Sequence, residues 1–113
     1  MGYRQGISAA QTGYQAAAVK VVFRASCVGD IDWFRKYYGS VFPQGRPNAK
    51  ESYRRALRTL QTHPETGNTV HGSSAARELH IPRTPFSFIY VIEDEAICVI
   101  RVLDGRARGK SAD

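Results

Sequence analysis

Cysteine is scarce in this chain of 113 residues, with only Cys27 and Cys98, and there is one methionine and one tryptophan. Two thiols so far apart, with His63, His71 and His80, offer no zinc-ligand spacing. There is no Walker-type loop and no GxGxxG fingerprint, so neither a metal nor a nucleotide cofactor is expected. No apolar run approaches the length needed to cross a bilayer. No basic n-region followed by an apolar h-region opens the chain, which points to a reduced, bacterial-type cytoplasm. In that setting Cys27 and Cys98, both read inside strands, are expected as small buried hydrophobes rather than as a disulfide. The aromatic RNP-type motif of the commonest sheet-based RNA binder is absent too.

Acidic residues are also few, 10 against 16 Lys and Arg, for a net charge of +6. Arg101, Arg106, Arg108 and Lys110 crowd near the end. Such a balance favours an anionic partner: nucleic acid, an acidic protein segment or a phosphate-rich site. The length suits a single domain that buries roughly 65% of its unfolded surface without staples.

Residues 1–18 are rich in Gly, Gln, Ala and Ser without a sustained period, and read as a flexible arm. A β-branched run from Val19 reads as a first strand that stops near Gly29. Asp30 is placed to cap a helix with Ile31, Phe34, Tyr38 and Val41 inward. Pro43 and Pro47 break it. Asn48 and Glu51 resemble a capping box opening a second helix, with an apolar stripe of Tyr53, Ala56, Leu57 and Leu60. Lys50, Arg54, Arg55 and Arg58 lie off that stripe, and His63-Pro64 ends the helix. The glycines and serines of 65–76 read as a loop. Three strands follow, the last two (86–92 and 97–103) joined by the Glu93-Asp94-Glu95 corner. Both are apolar on both faces: Phe86, Phe88, Tyr90 and Ile92 point one way, Ser87, Ile89 and Val91 the other. The expected fold is α+β, β-α-α-β-β-β, a helical hairpin on one face of a mostly antiparallel four-stranded sheet. The second face is left for a partner.

This order, with Arg77 and Leu79 on one strand, the aromatic strand ending at Tyr90, the acidic corner and ValIleArgValLeuAspGlyArg at 99–106, resembles the RelE/ParE superfamily. These are the small toxins of bacterial type II toxin-antitoxin pairs, and the ParE branch is the nearer. The resemblance covers 19–108, and the toxin domain is taken as 19–110 with a disordered tail at 111–113. It implies a cytoplasmic toxin that arrests growth. Its implied partner is a ParD-like antitoxin with a DNA-binding N-terminal domain and a C-terminal segment that folds on the toxin. No membrane and no small-molecule substrate are implied.

The two branches differ in chemistry. RelE-like members cut messenger RNA on the ribosome, which needs a base, an acid and cations around the phosphate; ParE-like members are associated with poisoning DNA gyrase. RelE-type cations are missing here: Ser87 follows Phe86, Glu78 and His80 stand in place of lysines, and Ala107 follows Arg106. The resemblance therefore implies a gyrase-binding inhibitor with no catalytic residues. A nuclease built from His80, Glu78, Arg83 and Arg106, with Tyr90, is the alternative, and a non-toxic basic binding module a second. Candidate antitoxin contacts are Trp33 and Tyr37, an aromatic pair four apart that otherwise packs on the arm or the loop before Arg77, with Phe88, Tyr90 and Arg101. Arg101 needs a carboxylate, from the antitoxin or from Glu78 or Glu93. Candidate target contacts are Arg83, Arg106, Arg108 and Lys110.

Overall fold

The protein is described here by a computed structural model covering residues 19–73 and 75–106. The expected arm and tail, with Arg108 and Lys110, lie outside the described residues. Strand β1 (Lys20–Phe23) leads into helix α1 (Val28–Lys36) and helix α2 (Arg46–Thr62). Strands β2 (Asn68–Thr69), β3 (Arg77–His80), β4 (Phe86–Glu93) and β5 (Ala96–Asp104) follow. They form one sheet in the order β1-β5-β4-β3-β2, with β1 parallel to β5 and every other pair antiparallel. The α+β expectation holds, with five strands in place of four. Strand β2 is the addition. Its two residues pair with β3, Asn68 opposite Glu78 and Thr69 opposite Arg77, and are too short to leave a period in the sequence.

Several boundaries differ from the sequence reading. β1 ends at Phe23, and a 3-10 turn (Ala25–Cys27) follows, so Cys27 sits in that turn, fully buried, rather than in a strand. Both cysteines are free and buried. Asp30 lies inside the first turn of α1 rather than capping it. Beyond Lys36 the chain widens into a π-turn (Tyr37–Val41) closed by Phe42 N–H on Tyr37 O at 2.7 Å. That bond spans five residues instead of four, so the inward phase is lost after Tyr38, and Val41 is 58% exposed. α2 begins at Arg46, with Pro47 in its first turn, where a missing N–H costs nothing. The expected capping box does not form. Glu51 reaches forward to Arg55 (3.0 Å) and Arg54 (3.7 Å) instead. The helix stops at His63, as the proline after it requires.

The core lies between the helices and one face of the sheet. Ala56 and Leu60 of α2 are buried, with Tyr53 and Leu57 packed beside them. Phe86, Phe88 and Tyr90 of β4 are wholly buried and meet Val99, Val102 and Ile97 of β5 in the same cluster. Rings interlock edge to face: Phe34 on Phe86 at 4.9 Å and Tyr53 on Phe88 at 5.4 Å between centroids. The Tyr90 hydroxyl donates to Pro64 O and accepts from Gly67 N–H, both at 2.8 Å. Gly67 is required there, since a Cβ would sit 2.6 Å from that hydroxyl and 2.8 Å from Glu78 O. The hairpin between β4 and β5 turns on Asp94 and Glu95, both at positive φ, the geometry of a two-residue turn that follows strand twist.

On the opposite sheet face Ser87, Ile89 and Cys98 are each less than a tenth exposed. The broad exposed apolar patch expected there is absent among the described residues. The exposed large hydrophobics are Val28, Trp33, Val41, Phe42 and Ile92, most of them in α1 or the turn that follows it.

One arrangement orients the helices. β1 covers β5 only as far as Val99, so the outer edge of β5 beyond it lacks a strand partner. The segment from Arg24 to Tyr37 runs along that edge. Arg24 N–H donates to Val99 O at 2.9 Å and Ser26 Oγ to Ile100 O at 2.7 Å. Ile100 is the extra residue of a bulge, since Ile89 pairs with Arg101 and Tyr90 with Val99. Asp30 Oδ2 accepts the Val102 N–H at 2.9 Å, and Arg101 clasps both of its oxygens at 2.7 and 3.0 Å. Burial pushes the Asp30 carboxyl up, but the Arg101 hydrogen bonds, the Val102 amide and the Arg101 charge together hold it below the usual value.

Asp30→Ala strands the Val102 N–H and is expected to cost about 2–3 kcal/mol. Arg101→Ala leaves that amide satisfied and removes a half-exposed ion pair, costing less than about 1 kcal/mol. Urea unfolding of the two variants checks this asymmetry; equal losses would contradict it. Gly67→Ala should lower the urea midpoint as well, because neither the buried Tyr90 ring nor the β3 backbone can retreat.

Candidate functional site

At the end of β5 four side chains converge, Trp33 and Tyr37 with Asp104 and Arg106, across 71 and 69 residues of sequence. Trp33 Nε1–H donates to Asp104 Oδ2 at 3.0 Å. Arg106 grips the same carboxylate with Nε and Nη2, at 3.0 and 2.8 Å, and its backbone N–H adds a third bond at 3.0 Å. Arg106 Nη1 donates to the Tyr37 hydroxyl at 3.0 Å, and the guanidinium carbon stands 4.4 Å from the Tyr37 ring centre. Helical spacing explains the match: Ser26, Asp30, Trp33 and Tyr37 are four, three and four apart, one stripe, while Ile100, Val102, Asp104 and Arg106 advance by twos along the strand direction.

The Arg106 hydrogen bonds hold the Asp104 carboxyl down at about 2, against the pull of burial and with help from the Trp33 indole. Asp104 in turn raises Arg106. Trp33 remains 38% exposed, so the cluster presents an indole whose polar edge is already fixed.

The expected contacts divide accordingly. Trp33, Tyr37 and Arg106 are brought together, although Arg106 was expected at a different surface from the aromatic pair. The arm lies outside the described residues; among those described the pair packs on Asp104 and Arg106 rather than on the loop before Arg77. Arg101 finds its carboxylate within the chain, in Asp30 rather than Glu78 or Glu93; Glu93 instead pairs with Arg24. Phe88 and Tyr90 present no surface, since both are wholly buried on the helix side of the sheet. Alternation alone could not say which face of an all-apolar strand is the core. Asp104 escaped sequence reasoning; its signal is an acid two residues before Arg106 at the end of the last strand.

The nuclease candidates His80 and Arg106 lie at one end of the sheet but on different sides of it. Glu78 and His80 share the sheet face away from the helices, opposite Ile89 and Ser87. His80 Nε2 donates to Thr84 O at 2.6 Å, which fixes the imidazole as a brace of the β3–β4 turn. Arg83 is exposed in that turn at positive φ. Arg106 lies at the same end of the sheet, where Gly105 N–H donates to Pro85 O at 2.7 Å, but is held on the helix side by Asp104 and Tyr37. Among the described residues no group of three His, Cys, Asp or Glu side chains is arranged to hold a metal. A groove of about 410 Å³ opens between the helices, lined by Ile31, Phe34, Tyr38 and Tyr53, with Arg35, Arg46 and Lys50 around it.

No protein-family model matches the chain, and no curated protein matches it in sequence. Among solved structures it is similar to a chain from the chromosomal ParDE TA system from P. aeruginosa, with a TM-score of 0.57 and 18% identity. The match covers 75% of this chain and 94% of that one, and at this identity it bears on the fold.

Because Asp104 is held at about 2 against roughly 3.9 when unfolded, its contribution to stability is complete above about pH 4 and is lost as pH falls through 2. Asp104→Asn should flatten the fall in the urea midpoint between about pH 4 and 2. It should also shift the emission of Trp33, the sole tryptophan, at neutral pH. An unchanged emission spectrum would show that the indole bond does not persist in solution.

Proposed function

We propose that this chain is the toxin of a toxin-antitoxin pair, neutralised by a ParD-like antitoxin, and that it arrests growth by binding DNA gyrase rather than by breaking a bond. The fold shared with the ParDE chain supports the toxin reading. The observation that carries the choice of branch is the state of the nuclease candidates: His80, on the sheet face away from the helices, braces a turn, and Arg106, on the helix side, is consumed by Asp104 and Tyr37. A base and a cation so placed do not flank one phosphate. A binding poison needs no such convergence.

The antitoxin contact on this reading centres on Trp33, whose ring is exposed while its N–H is satisfied, so that a partner covers apolar surface without stranding a donor. Arg83, Arg106, Arg108 and Lys110 are the proposed target contacts.

The purified chain is expected to inhibit supercoiling by DNA gyrase, and the cognate antitoxin to relieve the inhibition. It is expected to leave messenger RNA intact on translating ribosomes. Ribosome-dependent cleavage that His80→Ala abolishes would instead establish the endoribonuclease reading. Trp33→Ala should weaken antitoxin binding by about 2 kcal/mol or more while the variant still inhibits gyrase.

A further inference from the structure

The crowding of cations toward the C-terminus suggests a positive surface there, but the described residues carry a second concentration elsewhere. Arg101 and Arg106 are each neutralised within the chain, by Asp30 and Asp104. The excess charge is concentrated on α2, which holds five cations, Arg46, Lys50, Arg54, Arg55 and Arg58, against a single acid, Glu51. That is a net +4 on 17 residues in a chain whose total is +6.

Their placement is regular. Arg46, Lys50, Arg54 and Arg58 recur every fourth residue, so they stand in one row along the helix, and all four are exposed. The row carries no acid. Arg46, Lys50 and Arg58 make no ion pair among the described residues, and Arg54 meets Glu51 only at 3.7 Å while that acid serves Arg55 at 3.0 Å. The apolar stripe of α2 faces the core, and none of the exposed large hydrophobics belongs to this helix. At its N-terminal end the row borders the inter-helix groove, whose lining adds Arg35 of α1 and includes no acid.

We propose that this outer face of α2 is a docking ridge for the phosphate backbone of duplex DNA. At 1.5 Å per residue the row is about 18 Å long, a distance over which one strand of B-form DNA presents about five phosphates. A protein epitope would require an apolar or aromatic anchor, and the ridge has none. A single strand would require rings on which unstacked bases lie. Phe34 and Tyr53, the nearest, are committed to each other and to Phe86 and Phe88. What remains is a gently winding row of charge, which recognises a regular polyanion without reading its sequence. The ridge stands apart from the gyrase reading and depends on neither the antitoxin nor the cluster at Asp104.

The test is fluorescence anisotropy of the full chain with a labelled random-sequence duplex of about 20 base pairs, titrated between about 50 and 200 mM KCl. Four phosphate contacts predict a slope of log K against log[salt] near −3.6, and the double variant Lys50→Gln/Arg58→Gln should reduce it by about 1.8. Both positions are exposed, so the thermal melt should be unchanged, while Lys20→Gln on β1 should leave binding as it is. No binding at the lowest salt would overturn the proposal, as would a slope indifferent to the double variant. Tighter binding to a single-stranded oligonucleotide, to duplex RNA or to polyglutamate would assign the ridge to another partner and equally overturn it.

Discussion

The carboxylate of Asp30 on the Val102 amide is the contact on which the rest of the structure depends. A strand whose outer edge is only half paired has two recourses, water or a substitute. Here the substitute is the 3-10 turn and helix α1 laid along the edge, using Ser26 and Asp30 where a strand would use its backbone. Because Asp30 fixes α1 in translation as well as rotation, the next two residues of its stripe, Trp33 and Tyr37, arrive at Asp104 and Arg106 without further adjustment. The same docking sets Phe34 against Phe86, so the polar edge and the aromatic core specify one helix position between them. Agreement between a polar and an apolar requirement narrows the alternatives that either would allow alone.

That constraint also redistributes charge. Two of the four cations that sequence proximity gathers near the end of the chain are spent on holding α1 to β5, and a half-exposed guanidinium paired with a mostly covered carboxylate is no longer an available phosphate ligand. Among the described residues the densest group of unspent cations belongs to α2, which packs on the core through its apolar stripe. The two helices thus divide the work: α1 is bound to the sheet through a polar stripe as well as through Ile31 and Phe34, while α2 is bound through its apolar stripe and leaves its charges in solvent.

Much of this was legible in the sequence. The inward stripe Ala56 and Leu60, the stop at His63-Pro64, the β4–β5 hairpin and two free buried cysteines follow from local spacing and residue chemistry, and each is found. The helix starts were not legible: Asp30 looks like a cap until Arg101 and the Val102 amide are known to claim it, and α2 opens at Arg46-Pro47 with no capping side chain to announce it. Nor was β2, whose two residues are ordered by Arg77 reaching the Glu65 and Gly67 carbonyls. The pairing of Asp30 with Arg101 and of Trp33 with Asp104 each spans 71 residues. No pattern in a single sequence encodes which charged residue on a helix meets which position of a distant strand edge. Phe88 and Tyr90 illustrate a different limit: when both faces of a strand are apolar, period two cannot say which one meets the helices.

The central claim is that this fold acts by binding rather than by cutting. The most direct measurement is to induce the chain alone in bacteria and follow thymidine and methionine incorporation over the first minutes. The account predicts that thymidine incorporation falls first, with methionine incorporation following. An immediate fall in methionine incorporation, with thymidine incorporation initially sustained, would contradict it and return His80, Glu78 and Arg83 to the centre of the mechanism.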